Sequence, residues 1–173
     1  MPTRVAAFLA ALLPVVVACG GSRSGGPTQA VEVAGIRYPA NAIMCAKTVT
    51  TACASAAAGR AGHPIAYKGH LPGYSVGVLA VLPGGHAIEA FSSSHGAAQI
   101  QSPPIGEVVG TQVRRVVNGS ARGVVYLDAA GGGAKLATVR WQAAGQSFEL
   151  DLTGRGASAD AAINAWRGIS YAR

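Results

Sequence analysis

Apolar and polar positions alternate most cleanly near the C-terminal end of the chain. In Phe148-Glu149-Leu150-Asp151-Leu152 every second side chain is apolar, and Val139 and Trp141 alternate with Arg140 in the same way. A period of two is that of a half-buried strand. A four-residue loop, Ala143 to Gln146, sets Trp141 opposite Phe148, Val139 opposite Leu150 and Ala137 opposite Leu152, with Arg140 opposite Glu149 on the other face. A slip of one residue exposes a whole apolar row, so burial selects this register. The period then lengthens. In Ser158 to Ile169 (SADAAINAWRGI), Ala162, Ile163, Trp166 and Ile169 fall on one face of a helix. Ser158 can cap it, and Asp160 suits its first turn. Trp166 on that face reads as core packing.

Earlier segments are less regular. Tyr74 to Leu82 (YSVGVLAVL) and His86 to Ser92 (HAIEAFS) flank Pro83-Gly84-Gly85 and predict a hairpin. Gln112 to Val117 and Ser120 to Leu127 flank Asn118-Gly119, a strong hairpin signal. A two-residue loop there pairs Val117 with Ser120, Val116 with Ala121 and Arg115 with Arg122. Opposed like charges are destabilising, which calls for a bulge, an anion between the arginines, or two side chains splayed into water. Val31 to Pro39 (VEVAGIRYP) reads as one strand. Asn41 to Gly59 is ambiguous, because its alanines favour helix and Thr48-Val49-Thr50-Thr51 favours strand. Gly and Pro recur from there to Tyr74, which predicts loop, and Ser93 to Pro104 reads as a long loop. The fold class expected is α+β, an antiparallel sheet built from hairpins and packed by a C-terminal helix.

One segment fits neither period. Val5 to Val17 (VAAFLAALLPVVV) is apolar throughout and follows a single positive charge. It is shorter than the roughly 20 residues of a membrane span and fits the apolar region of a secretory signal peptide. Val16-Val17-Ala18-Cys19 resembles the lipobox of bacterial lipoproteins: an aliphatic residue, a tolerant position, a small residue, then cysteine. The resemblance implies that residues 1–18 are a signal peptide and that Cys19 becomes an acylated N-terminus, palmitate among its lipids. Residues 19–30, with the sequence GGSRSGGPT after the cysteine, then form a flexible tether. Residues 31–173 are expected to be a single extracytoplasmic domain, lipid-anchored to the bacterial cell membrane.

The cysteine count fits that expectation. With Cys19 acylated, Cys45 and Cys53 remain as a pair in an oxidising compartment, either bridged or as two small buried thiols. By loop entropy a bridge over so short a segment stabilises by about 2.5 kcal/mol. Their spacing suits neither a CxxC redox motif nor a zinc knuckle. The chain carries 14 Lys and Arg against 7 Asp and Glu, a formal charge of +7. Export removes most nucleic-acid roles for this charge, and no nucleic-acid partner is expected. Arg114, Arg115 and Arg122, with Arg140 beside them, are candidates for contact with phospholipid headgroups or cell-wall anions.

Catalytic motifs are absent: there is no Walker loop, no GxGxxG and no nucleophile elbow. Ser92-Ser93-Ser94-His95 sets hydroxyls beside an imidazole and reads as a polar loop. His63, His70, His86 and His95 match no zinc-ligand spacing, and the acids look scattered. Gly133-Ala134-Lys135-Leu136, followed by VRW, FELDL and the final helix, is similar to the C-terminal end of DUF4367 and lipoprotein-carrier-like extracytoplasmic domains. Members bind apolar or unknown ligands, and no catalytic residue carries over. The expectation is a non-catalytic lipoprotein without cofactor or metal that binds an apolar ligand, an envelope component or a partner protein. The alternatives are a cell-envelope hydrolase using Ser94 or a histidine, and a metal-handling lipoprotein. A deep apolar cavity between sheet and helix would favour the first, converging Ser, His and acid the second, and three histidines at one point the third.

Overall fold

The computed structural model describes residues 29–129 and 135–173. Cys19, the apolar run before it and the tether up to residue 28 lie outside the described residues, as do Gly133 and Ala134. Among the described residues eight antiparallel strands form one sheet. Its order is β3 (Ile43–Ala46), β5 (Ser75–Val81), β6 (Ala87–Ser93), β7 (Gly96–Ser102), β11 (Gln146–Gly154), β10 (Lys135–Ala143), β9 (Ala121–Ala129) and β8 (Thr111–Asn118). Two α-helices, α1 (Thr51–Ala61) and α2 (Ala159–Trp166), a 3-10 turn at Ala40–Ala42 and two short pairs, β1–β2 (Val31–Val33, Ile36–Tyr38) and β4–β12 (Ile65–Tyr67, Ser170–Ala172), complete it. The α+β architecture with a C-terminal helix on the sheet is therefore as expected.

The register sorts the sheet into two faces. One row across it runs Leu79, Glu89, Ile100, Leu150, Val139 and Val125. This face packs α1 at the β5 end and α2 at the β9–β11 end. The neighbouring row runs Ile88, Gln101, Glu149, Arg140, Val124 and Arg115 and belongs to the opposite face. There the β1–β2 hairpin covers Val78, Ala80, Ile88 and Ala90. Hence β5 and β6 are buried on both sides, which is why their sequences run apolar without alternating. Strands β10 and β11 bury apolar side chains on one side only and carry Thr138, Arg140, Glu149 and Asp151 on the other, and so alternate in polarity.

The β10–β11 register is the one the burial argument selects: Trp141 faces Phe148, Val139 faces Leu150, Ala137 faces Leu152 and Arg140 faces Glu149. The ladder extends one pair further than expected, to Ala143 and Gln146, leaving Ala144-Gly145 as the turn. Trp141 stacks on Phe148 with ring centroids 5.6 Å apart and meets Trp166 of α2 at 6.0 Å. Its indole N–H donates to the Tyr171 hydroxyl at 2.9 Å. Ser158 caps α2 by accepting from the Ala161 amide, and Ala162, Ile163 and Trp166 are buried as expected.

Several expectations are corrected. Val31 to Pro39 is a hairpin, because Ala34 and Gly35 both take positive φ and reverse the chain. Ser93 to Pro104 holds a central strand, β7, and its only turn there is Ser94-His95. Its small residues have low strand propensity, but Ala98 and Ile100 drop into the core between β6 and β11, and that context decides. The loop expected before Tyr74 contains β4, three residues that pair with β12. Asn41 to Gly59 divides into strand and helix, with Thr50 as the helix cap, its hydroxyl accepting from the Cys53 amide at 3.2 Å. Cys45 and Cys53 are bridged, Cα atoms 6.4 Å apart, tying the edge strand β3 to the first turn of α1.

The β8–β9 turn moves by one residue. Asn118 pairs with Ala121, and the loop is Gly119-Ser120, with Gly119 leading at φ +59°, as glycine in a two-residue hairpin turn allows. Arg115 therefore faces Val124, and Arg122 faces Val117. The head-on arginine pair expected from Asn118-Gly119 does not form. Asn118, released from the turn, donates to the Arg167 carbonyl beyond α2 at 3.5 Å.

Candidate functional site

A cleft of about 610 Å³ opens between α2 and the segment joining β4 to β5. Ala161 and Ala165 of α2, with Gly168 just beyond it, form one wall, while Leu71, Pro72 and Tyr74 form the facing one. Leu152 of β11 contributes to its floor, and Ser93 and His95 close one end from the β6–β7 turn. The apolar wall on α2 follows from helix pitch: Ala161 and Ala165 are four residues apart and share a face, next to the stripe that Ala162 and Trp166 bury.

The opposite wall is an irregular segment held from beneath. Glu89, wholly buried in β6, accepts from the Lys68 amide at 2.6 Å and the Gly69 amide at 2.9 Å. Burial pushes its carboxyl up to about 7, against the pull of those two amides and of the Lys68 charge. The Lys68 ammonium reaches across to donate to the Ala165 carbonyl at 2.7 Å. Burial pulls that ammonium below its ordinary value, and the Glu89 charge opposes the shift. One carboxylate and one lysine thus clamp the cleft's two walls together.

The residues singled out in the sequence distribute unevenly. His70 and His95 both line the cleft. His63 and His86 sit at the far side by the β5–β6 turn, where His63 Nε2 lies 2.8 Å from the Gly85 carbonyl oxygen. Among the described residues no three His, Cys, Asp or Glu side chains gather where they could hold a metal ion. The Ser93 hydroxyl accepts from the His95 amide and donates to the Gly96 carbonyl, both at 3.2 Å, so it stabilises the turn. No acid stands among the cleft-lining residues.

Two acids that look scattered in the sequence meet on the opposite face. Glu149 and Asp151, two apart on β11, share that face with Thr138, Arg140 and Gln101. Thr138 Oγ1 donates to Asp151 Oδ1 at 2.6 Å, Gln101 Nε2 to Asp151 Oδ2 at 2.9 Å, and Arg140 Nε to Glu149 Oε2 at 2.8 Å. Burial, then the Asp151 charge, pushes Glu149 up to about 7 although Arg140 opposes it; burial raises Asp151 as well. The network fastens the segment before β8: Gln101 Oε1 accepts from the Ile105 amide at 3.1 Å, and Arg140 donates to the Gly106 carbonyl at 3.2 Å. The alternation of FELDL carries the signal for this pair, since positions two apart on a strand share a face.

The three arginines proposed for anions also separate. Arg114 points toward α2 and pairs with Asp160 at 2.8 Å, an exposed contact. Arg115 and Arg122 lie on the other face, flanking a recess of about 720 Å³ at the β8–β9 hairpin. Searches against protein-family models, curated proteins and solved structures found no match to this chain.

Proposed function

We propose that this chain is a lipid-anchored extracytoplasmic binding protein of the bacterial envelope, non-catalytic, which holds an apolar ligand in the cleft beside α2. The observation that carries the reading is the cleft itself: about 610 Å³, walled by Leu71, Pro72, Leu152, Ala161 and Ala165, with Lys68, His70 and His95 as its titratable groups beside the polar Tyr74, Ser93 and Asn164. That size, and an apolar wall with a limited set of polar groups at its edges, match the usual small-molecule site. Ser94, the hydroxyl considered for hydrolysis, is not among the cleft-lining residues, and no acid stands beside His70 or His95 there, which favours binding over hydrolysis. The anchor is supported by Val16-Val17-Ala18-Cys19 at the end of an apolar run.

Two measurements test the two parts. Ala161→Phe projects a ring into the cleft from the half-buried outer face of α2. In the full chain it is expected to weaken binding of a dansyl-labelled undecanoic acid at least about tenfold, a change of about 1.4 kcal/mol, with circular dichroism unaltered. Equal affinity in the folded variant, or no saturable binding by the parent chain, overturns the cleft as a ligand site. Mass spectrometry of the membrane-extracted protein is expected to show an acylated chain beginning at Cys19. An unmodified chain that retains residues 1–18 overturns the anchor.

A further inference from the structure

The hairpin β8–β9 presents basic and apolar side chains together on the sheet face turned away from α2. Arg115 and Arg122 occupy diagonal positions there, because Arg115 faces Val124 and Arg122 faces Val117. Diagonal neighbours stand about 7–8 Å apart on a sheet, near enough for two guanidinium groups to grip one phosphate or two adjacent ones. Among the described residues neither arginine makes an ion pair, whereas Arg114 and Arg140 are each held by an acid. Val117 beside them is 68% exposed, the most exposed large apolar side chain described, and Val113 on the same strand is also exposed.

We infer that this hairpin face is a docking surface for anionic phospholipid headgroups, with Arg115 and Arg122 binding phosphate and Val117 entering the headgroup layer. Charge complementarity selects the occupant. The two arginines stand on a chain of net charge +7, and planar guanidinium groups match phosphate oxygens in pairs. The placement also separates a membrane from an acidic peptide. A peptide strand added to the sheet would run along the outer edge of β8, but Arg122 is on β9, one strand inward. A flat anionic surface lying over the hairpin reaches both. The inference is independent of the cleft and of acylation at Cys19.

Vesicle flotation of the full chain carrying Cys19→Ser tests it, comparing phosphatidylcholine vesicles with vesicles containing a third phosphatidylglycerol. The apolar residues 5–17 contribute to binding on both, so the readout is the increment produced by the anionic lipid. Each basic side chain near such a surface is worth about fivefold in partition. Arg115→Glu with Arg122→Glu is expected to cut the increment at least about tenfold, and high salt to abolish it. Lys47→Glu with Arg155→Glu, an equal change of charge at exposed sites elsewhere, is expected to leave most of it. An increment that survives the hairpin variant overturns the assignment. So does an equal fall in both variants, which would reduce the effect to net charge. Poly-glutamate binding that depends on the two arginines, without any anionic-lipid increment, would overturn it in favour of an acidic protein partner.

Discussion

Trp166→Ala is expected to lower the stability of the fold by about 3–5 kcal/mol, the usual cost of deleting a large buried aromatic side chain. For a domain of this size that is a fall of about 10–20 °C in melting temperature. Trp166 is 1% exposed and is the last residue of α2, where it meets Trp141. A helix of eight residues has little stability of its own, so α2 stays in place through this contact and through Ala162 and Ile163. Because α2 is also a wall of the cleft, the variant should lose the dansyl-undecanoate site at temperatures where far-ultraviolet circular dichroism still shows sheet. Urea unfolding of Trp166→Ala beside Trp166→Phe, which keeps a ring, measures the effect. A loss below about 1 kcal/mol in the alanine variant, well short of the cavity cost, would show that α2 is anchored by other residues.

The second large effect is a pH dependence centred on Glu89. Its carboxyl sits at about 7 in the fold, raised by burial from 4.5. The folded state therefore binds this proton more tightly than the unfolded chain does. The resulting stabilisation is fully present below about 4.5 and is lost as pH rises through about 7, on the order of 3 kcal/mol in all. Glu149 has the same sign, since burial raises it also. Unfolding by urea at pH 5 and pH 8 should thus show the protein markedly more stable at the lower pH. Glu89→Gln removes the titrating group but leaves one oxygen for only one of the Lys68 and Gly69 amides. It is expected to be less stable than the parent at pH 5 by about 1–3 kcal/mol, the cost of an unpaired buried donor. Its stability should then fall less between pH 5 and pH 8, with the part due to the Glu149 and Asp151 pair remaining. An identical slope in parent and variant would remove Glu89 as its source.

The same residue shows where sequence reading stops. HAIEAFS predicts a strand, and β6 is one, yet nothing in those letters says that Glu89 lies on the fully buried side. That depends on α1 and β4 covering one face of the sheet while the β1–β2 hairpin covers the other. The cleft was no more legible. It is made from residues 68–74, read only as loop, set against a helix about ninety residues later by the Glu89 and Lys68 contacts. The β8–β9 turn was legible to within one residue. Asn118-Gly119 marks a reversal, but whether asparagine or glycine leads it is settled by what the flanking residues bury and by the Asn118 contact beyond α2.

By itself the sequence determined what depends on near neighbours and on period. The β10–β11 register follows from burying one apolar row, and the start and buried stripe of α2 follow from Ser158 and helical pitch. For Cys45 and Cys53 the sequence offered a bridge or two buried thiols, and the fold that brings β3 against α1 decided for the bridge. Tertiary structure alone decided that β7 is a central strand, that Arg115 and Arg122 lie diagonally on one face with no ion pair among the described residues, and that Glu149 and Asp151 share a network with Gln101. The physical reason is the range of the forces involved. Alternation and capping act within a few residues, whereas burial of polar groups and the closing of a cleft are fixed only when distant segments pack and exclude water together.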